Sequence, residues 1–139
     1  MEHNHFHQIS VFTAAKKSDA GAKAAYSIYD MGKLLVERAV EICGVTEHRA
    51  TIMAVWSAVT WCRNNIPNED IDVYCPHERV PNELTSVWYS ETVAACYEDS
   101  DRIESVLREC CYVKSAAFGV CGTHGEYGKR MDEVKKLTN

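Results

Sequence analysis

Three consecutive segments with the alternating pattern of β-strands occupy the first third of this sequence. The first covers residues 5–13 and gives way to small and charged residues at 14–21. In the next two segments the apolar residues share one face: Ala24, Tyr26 and Ile28, then Leu34, Val36, Val40 and Ile42. Residues 30–33 between them have the composition of a tight turn. A chain that begins in this way is predicted to form an antiparallel meander of three strands.

A helix and then an alternation of strands and helices follow the meander. Thr46 is a candidate N-cap for a helix that extends to about Asn65. Because this helix is apolar on most of its faces, we expect it to be central, with Trp56 and Trp61 in the core. The remaining pattern predicts a strand at 70–75, two helices within 81–111 that divide near 98–100, a strand at 113–121, a loop at 122–128 and a helix at 129–137. The order βββ-α-β-α-α-β-α predicts an α/β domain, a five-stranded mixed sheet flanked by helices.

The composition is that of one globular domain spanning residues 1–139. Of the 139 residues, 46% are hydrophobic and 25% are charged. No segment approaches the roughly 20 apolar residues of a membrane span, and the first residues lack the pattern of a signal peptide, so we expect a soluble, cytoplasmic protein. The 7 cysteines include no C-x-x-C pair, so we expect neither disulfides nor a zinc ribbon. We also expect no cofactor. The adjacent Cys110 and Cys111 are expected to pack in the core.

Four short motifs, in the same order as the predicted elements, resemble the ribonuclease H family. The family's V-Y-T-D-G motif at the end of the first strand corresponds to VFTAA at 11–15, and N-x-R-M-E-L at the start of the central helix corresponds to HRATI at 48–52. The T-D-S motif after the fourth strand corresponds to CPH at 75–77. The N-E-R-x-D-x-L motif of the last helix corresponds to GKRMDEV at 128–134, after a GTHG loop at 122–125 that looks like the family's G-H-x-G. The resemblance covers nearly the whole chain and implies a ribonuclease H-like fold.

The resemblance also implies that this chain lacks the family's catalytic machinery. Family members hydrolyse the RNA strand of a hybrid with two divalent ions that four carboxylates hold. The matching positions here are Ala14, Thr51, Pro76 and Asp132, so three of the four carboxylates are absent. We therefore expect a catalytically inactive domain without bound metal, in which the loop residue His124 is vestigial.

One alternative keeps some catalytic activity. Glu78, His124 and Asp132 are candidates to hold a single ion in a divergent metal-dependent nuclease. At the N-terminus, His3, His5 and His7 would share one face of an extended strand and are weak candidates for binding Zn²⁺, Ni²⁺ or Cu²⁺. The simpler interpretation of the three histidines is a solvated terminus that binds no metal.

The distribution of charge favours a protein partner over nucleic acid. Residues 66–110 contain 11 acidic and only three basic side chains, and such a segment repels a polyanion. We therefore expect an adaptor or assembly factor, with Trp88, Tyr89 and Tyr97 as candidate contacts to a protein partner. Pairing through the edge of the third strand is a route to such a partner or to a homodimer.

The alternative is a non-catalytic domain that binds RNA or an RNA/DNA hybrid. Its candidate phosphate contacts belong to the basic clusters at the two ends of the chain: Lys16, Lys17, Lys129 and Arg130. The simplest interpretation of these residues is a solvated basic surface.

Overall fold

The computed structural model describes residues 9–89 and 99–139. The elements are β1 (Ile9–Lys17), β2 (Gly21–Asp30), β3 (Lys33–Cys43), α1 (Glu47–Asn65), β4 (Asp70–Tyr74), α2 (Arg79–Tyr89), α3 (Ser100–Cys110), β5 (Ser115–Gly119) and α4 (Gly125–Lys136). This order confirms the predicted succession of elements. No helix within these two ranges is both long enough and apolar enough to span a bilayer.

The five strands form one mixed sheet in the order β3-β2-β1-β4-β5. β1 pairs antiparallel with β2, and β2 pairs antiparallel with β3, which confirms the predicted meander. β4 is parallel to both β1 and β5. The β2–β3 turn places Met31 and Gly32 at positive φ, as a tight hairpin turn requires.

The two faces of the sheet carry separate clusters of buried side chains. Helix α1 covers one face, where Val11 and Ile28 pack with Val55 and with residues of α2 and α3. Helix α4 covers the other face, where Phe12 packs with Met131. Successive residues of a strand point to opposite faces, so neighbouring residues of β1 contribute to different clusters.

The predicted N-cap of α1 is confirmed, because the Thr46 hydroxyl accepts a hydrogen bond from the backbone N–H of Arg49 at 3.0 Å. The prediction that Trp56 belongs to the core is wrong, since its side chain is 41% exposed. Asp99 is the N-cap residue of α3 but makes no capping hydrogen bond, because its carboxylate contacts the Arg49 side chain.

Two predicted boundaries are also wrong. Residues 14–17 belong to β1, because they pair with residues 22–25 of β2 in spite of their low strand propensity. The predicted loop at 122–128 is shorter, since α4 already begins at Gly125. A Cβ atom on Gly128 would lie 2.5 Å from the backbone of Thr123, so glycine at 128 allows the loop to cross the first turn of α4.

Candidate functional site

Strands β1 and β4 run in parallel towards the same end of the sheet, where β4 stops at Tyr74 and β1 continues to Lys17. Phe12 is the register partner of Tyr74, and the Thr13 hydroxyl donates a hydrogen bond to the Tyr74 carbonyl at 3.0 Å. The backbone N–H of Lys17 donates to the Glu47 carboxylate at 3.1 Å, which joins the end of β1 to the start of α1. The fold therefore brings together, at this end of the sheet, the elements that carry positions 14, 51 and 76.

A cleft of about 320 Å³ opens beside this end of the sheet. It is lined by residues from the start of α1 and from the segment that joins β4 to α2: Glu47, His48, Thr51, Pro76, His77, Arg79 and Val80. Two of the four positions that match the family's carboxylates, Thr51 and Pro76, thus face the same cleft. The Thr51 hydroxyl donates to the Glu47 carbonyl of its own helix at 3.0 Å, so its proton is committed there.

The other two matching positions belong to the opposite face of the sheet. Ala14 is 1% exposed and packs with Met131 and Val134 of α4. Asp132 is exposed on α4. Burial raises the pKa of the Cys121 thiol, and the nearby Asp132 carboxylate adds to that rise. Ala14, which the motif matches to a metal-binding carboxylate of the family, therefore contributes only a methyl group to a packed cluster.

Within residues 9–89 and 99–139, no three His, Cys, Asp or Glu side chains are arranged to hold a metal ion. The structure thus does not assemble Glu78, His124 and Asp132 into the single-ion site considered above. His124 is the exposed N-cap residue of α4 and makes no capping hydrogen bond. His3, His5 and His7 lie outside the described residues, so the interpretation of that cluster stays a prediction.

An aromatic cluster fixes α4 against the sheet next to Ala14. The ring of Tyr127 lies 5.6 Å from that of Phe12 and 5.3 Å from that of Tyr74, both in edge-to-face geometry. The Tyr127 and Ser10 hydroxyls are 3.1 Å apart. Burial, with the nearby Asp72 carboxylate, raises the pKa of Tyr74 to about 12, so this ring stays neutral in the cluster.

Two buried carboxylates link the three helices of the α1 face. The Nε2 atom of His48 on α1 lies 3.0 Å from the Glu83 carboxylate on α2, which also accepts from Arg79 at 3.1 Å. Asp99 at the start of α3 contacts Arg49. The carboxylates of Glu83 and Asp99 are buried and paired, so they hold the wall of the cleft in place. Spacing within the sequence gave no signal for the His48–Glu83 and Arg49–Asp99 contacts, because their partners come from different helices, whereas Arg79 and Glu83 have the i,i+4 spacing of a single helix.

The predicted basic residues separate into two places. Lys16 and Lys17 line a second cleft, of about 550 Å³, together with Lys23, which the sequence analysis did not single out. Arg130 instead lies over the Tyr29 ring, 4.4 Å from its centroid, with a side chain only 11% exposed. Lys129 is exposed on α4.

The edge strand β3 presents an exposed apolar surface. Val40 is 60% exposed and Leu34 is 41% exposed. Between β3 and α1 lies an apolar groove of about 200 Å³ whose lining includes Val40, Met53 and Trp56. Of the predicted partner contacts, Trp88 and Tyr89 end α2, and Tyr97 lies outside the described residues.

Comparison with solved structures gives a consistent result. A foamy-virus protease-reverse transcriptase solved with an RNA/DNA hybrid superposes with a TM-score of 0.76 at 11% identity, over 94% of this chain and 19% of that chain. The N-terminal RNase H domain of a Mycobacterium tuberculosis protein superposes with a TM-score of 0.72 at 8% identity, over 94% of this chain and 98% of that chain. This chain has a ribonuclease H-like fold.

A third neighbour supports the same fold. LC11-RNase H1, isolated from compost, superposes with a TM-score of 0.73 at 15% identity, over 96% of this chain and 94% of that chain. The ribonuclease H-like domain described here spans about a fifth of the viral chain but nearly the whole of the other two chains, one of which is itself an N-terminal domain. No protein-family model matches the sequence, and no curated protein sequence matches it.

Proposed function

We propose that this chain is a catalytically inactive ribonuclease H-like domain that acts by binding a protein partner. The proposed inactivity is supported by the side chains at the four positions that match the family's carboxylates. Ala14 is buried against α4, the Thr51 hydroxyl is bonded to its own helix, and Pro76 has no side-chain oxygen. Asp132 is then the only carboxylate among the four, and one exposed carboxylate does not hold two metal ions.

A cleavage assay tests the inactivity. Purified protein is incubated with an end-labelled RNA/DNA hybrid and either Mg²⁺ or Mn²⁺, beside an Asp132→Ala variant. We expect neither protein to cleave above the buffer control. Cleavage by the unmodified chain that disappears in the variant would overturn this part of the proposal.

The protein-binding role is supported by the edge strand β3. At 11 residues it is a long strand, and no described strand pairs with its outer edge. Unpaired backbone groups along such an edge are a template for a strand from another chain. The adjacent groove, with Val40 and the exposed Trp56, supplies an apolar surface on which a side chain of that strand can be buried.

Comparative capture from a native lysate tests this role. Val40→Lys places a charge on the β3 surface, and Val120→Lys places the same charge on an exposed valine next to β5 as the matched control. We expect a specific protein to be retained by the unmodified chain and by the control, and to be lost with Val40→Lys. If both variants retain the same proteins as the unmodified chain, β3 is not the binding surface.

A second candidate function is the binding of RNA or a hybrid without cleavage. It is favoured by Lys16, Lys17 and Lys23, which all line one cleft. The acidic segment 66–110 forms other elements, namely β4, α2 and α3. Two of the neighbouring structures, the foamy-virus protein and LC11-RNase H1, were solved in complex with RNA/DNA hybrid. Affinity for a hybrid that falls steeply with salt would support this function, and no binding at low salt would reject it.

A further inference from the structure

Two lysines stand directly opposite each other in the β1–β2 hairpin. Lys16 of β1 is the register partner of Lys23 of β2. Like charges directly opposite each other in an antiparallel pair destabilise it, whereas the flanking pairs Ala15–Ala24 and Lys17–Ala22 bring no such conflict. A local conflict of this kind is expected at functional positions, where binding rather than stability determines the residue.

The two ammonium groups converge on the oxygens of one residue. Lys16 Nζ donates to the side-chain oxygen of Asn139 at 3.1 Å, and Lys23 Nζ donates to the backbone oxygen of Asn139 at 3.4 Å. Each cation thus holds one of two oxygens that belong to the same residue. The same arrangement would hold two non-bridging oxygens of a phosphate group, which lysine binds as a point charge.

The surroundings of the pair determine which ligand fits. The cleft of about 550 Å³ has room for more than a single phosphate, and Lys17 and Ser18 also line it. Two carboxylates, Asp19 and Glu41, line it as well and leave the three lysines in excess. The phosphates of a nucleic-acid strand that lies along the open cleft would neutralise this excess positive charge, whereas an isolated neutral group would not.

We propose that Lys16 and Lys23 form a clamp for a backbone phosphate of a nucleic-acid strand, and that Asn139 occupies the clamp in this structure. Lys16 lies two residues beyond Ala14 in β1, and the motif matches Ala14 to one of the family's catalytic carboxylates. A strand held there would pass the degenerate site without being cut. This inference rests on the second candidate function and is independent of the proposed protein partner.

Fluorescence anisotropy with a labelled RNA strand and a labelled RNA/DNA hybrid, over a series of salt concentrations, tests the clamp. Lys16→Gln and Lys23→Gln are compared with Lys33→Gln, which removes the same charge at the opposite end of the β2–β3 hairpin. We expect each clamp variant to weaken binding about fivefold or more and to lower the salt slope by roughly one, with Lys33→Gln changing affinity less than twofold. Inorganic phosphate should compete with the strand for the unmodified chain.

Five results would overturn the clamp. The first is an equal loss of affinity in all three lysine variants, which indicates net charge alone. The second is weaker binding by Asn139→Ala, which releases Lys16 and should give equal or tighter binding. The third is binding of a phosphoserine peptide, but not of RNA, that depends on Lys16 and Lys23. The fourth is salt-dependent RNA binding that the clamp variants leave intact, in which case the second candidate function stands on another surface. If the unmodified chain binds no RNA at low salt, both the clamp and that function fail.

Discussion

Replacement of Ala14 by aspartate tests whether position 14 is a packed core position or one where a carboxylate can bind a metal ion. Ala14 is 1% exposed and packs with Met131 and Val134, so a carboxyl group placed there is removed from water. If the folded protein keeps this group neutral at pH 7, protonation of an acid with an ordinary pKa near 3.9 costs about 4 kcal/mol. We expect Ala14→Asp to lose about that much stability, beyond what the larger side chain costs by crowding.

The matched control is Ala14→Asn, which has nearly the same shape and no charge. Urea unfolding followed by the fluorescence of the three tryptophans gives the free energy of unfolding of both variants. Because burial raises the pKa of the introduced acid in the folded state, the Asp variant should gain on the Asn variant as the pH falls, and the two should be about equal near pH 4. Equal stability at pH 7, or a stabilisation of the Asp variant alone by millimolar Mg²⁺, would refute a packed core at position 14.

Two further predictions concern the helices and the cysteines. Glu83→Ala leaves His48 and Arg79 without their buried carboxylate partner and should cost about 1–3 kcal/mol of unfolding free energy, whereas the exposed Glu78→Ala should cost less than about 0.5 kcal/mol; equal losses would contradict the buried network. Burial raises the pKa of Cys62 and of Cys75 to about 12, so iodoacetamide at pH 8 should modify the exposed Cys43 and Cys111 first and leave the two buried thiols unmodified until the protein is unfolded, as measured by mass spectrometry. Modification of either buried thiol at the rate of Cys43 would show that the core opens.

The order of elements could be predicted because local signals mark most of them. Thr46 supplies a capping hydroxyl, and residues 30–33 supply the tight turn. The boundary of β1 could not be predicted, because Ala14 to Lys17 have low strand propensity and are held in the sheet by the β2 backbone. The exposure of Trp56 was missed for a similar reason, since helical periodicity does not reveal how far the neighbouring edge strand covers an apolar face.

The candidate site was predictable only in part. Thr51 and Pro76, which the motifs singled out, both line one cleft. The sequence did not reveal that Lys23 stands opposite Lys16, since that pairing depends on the register of β1 and β2. It also did not reveal that Arg130 lies over an aromatic ring, because that contact depends on how α4 docks on the sheet.

The most direct test of the central claim is a titration with Mn²⁺, followed by electron paramagnetic resonance, for the unmodified chain and for Asp132→Asn. The four positions that the motifs match provide one exposed carboxylate, so we predict no saturable binding at millimolar Mn²⁺ that depends on Asp132. Binding of two ions per chain that is lost in Asp132→Asn would contradict the claim that these positions do not form a two-metal site.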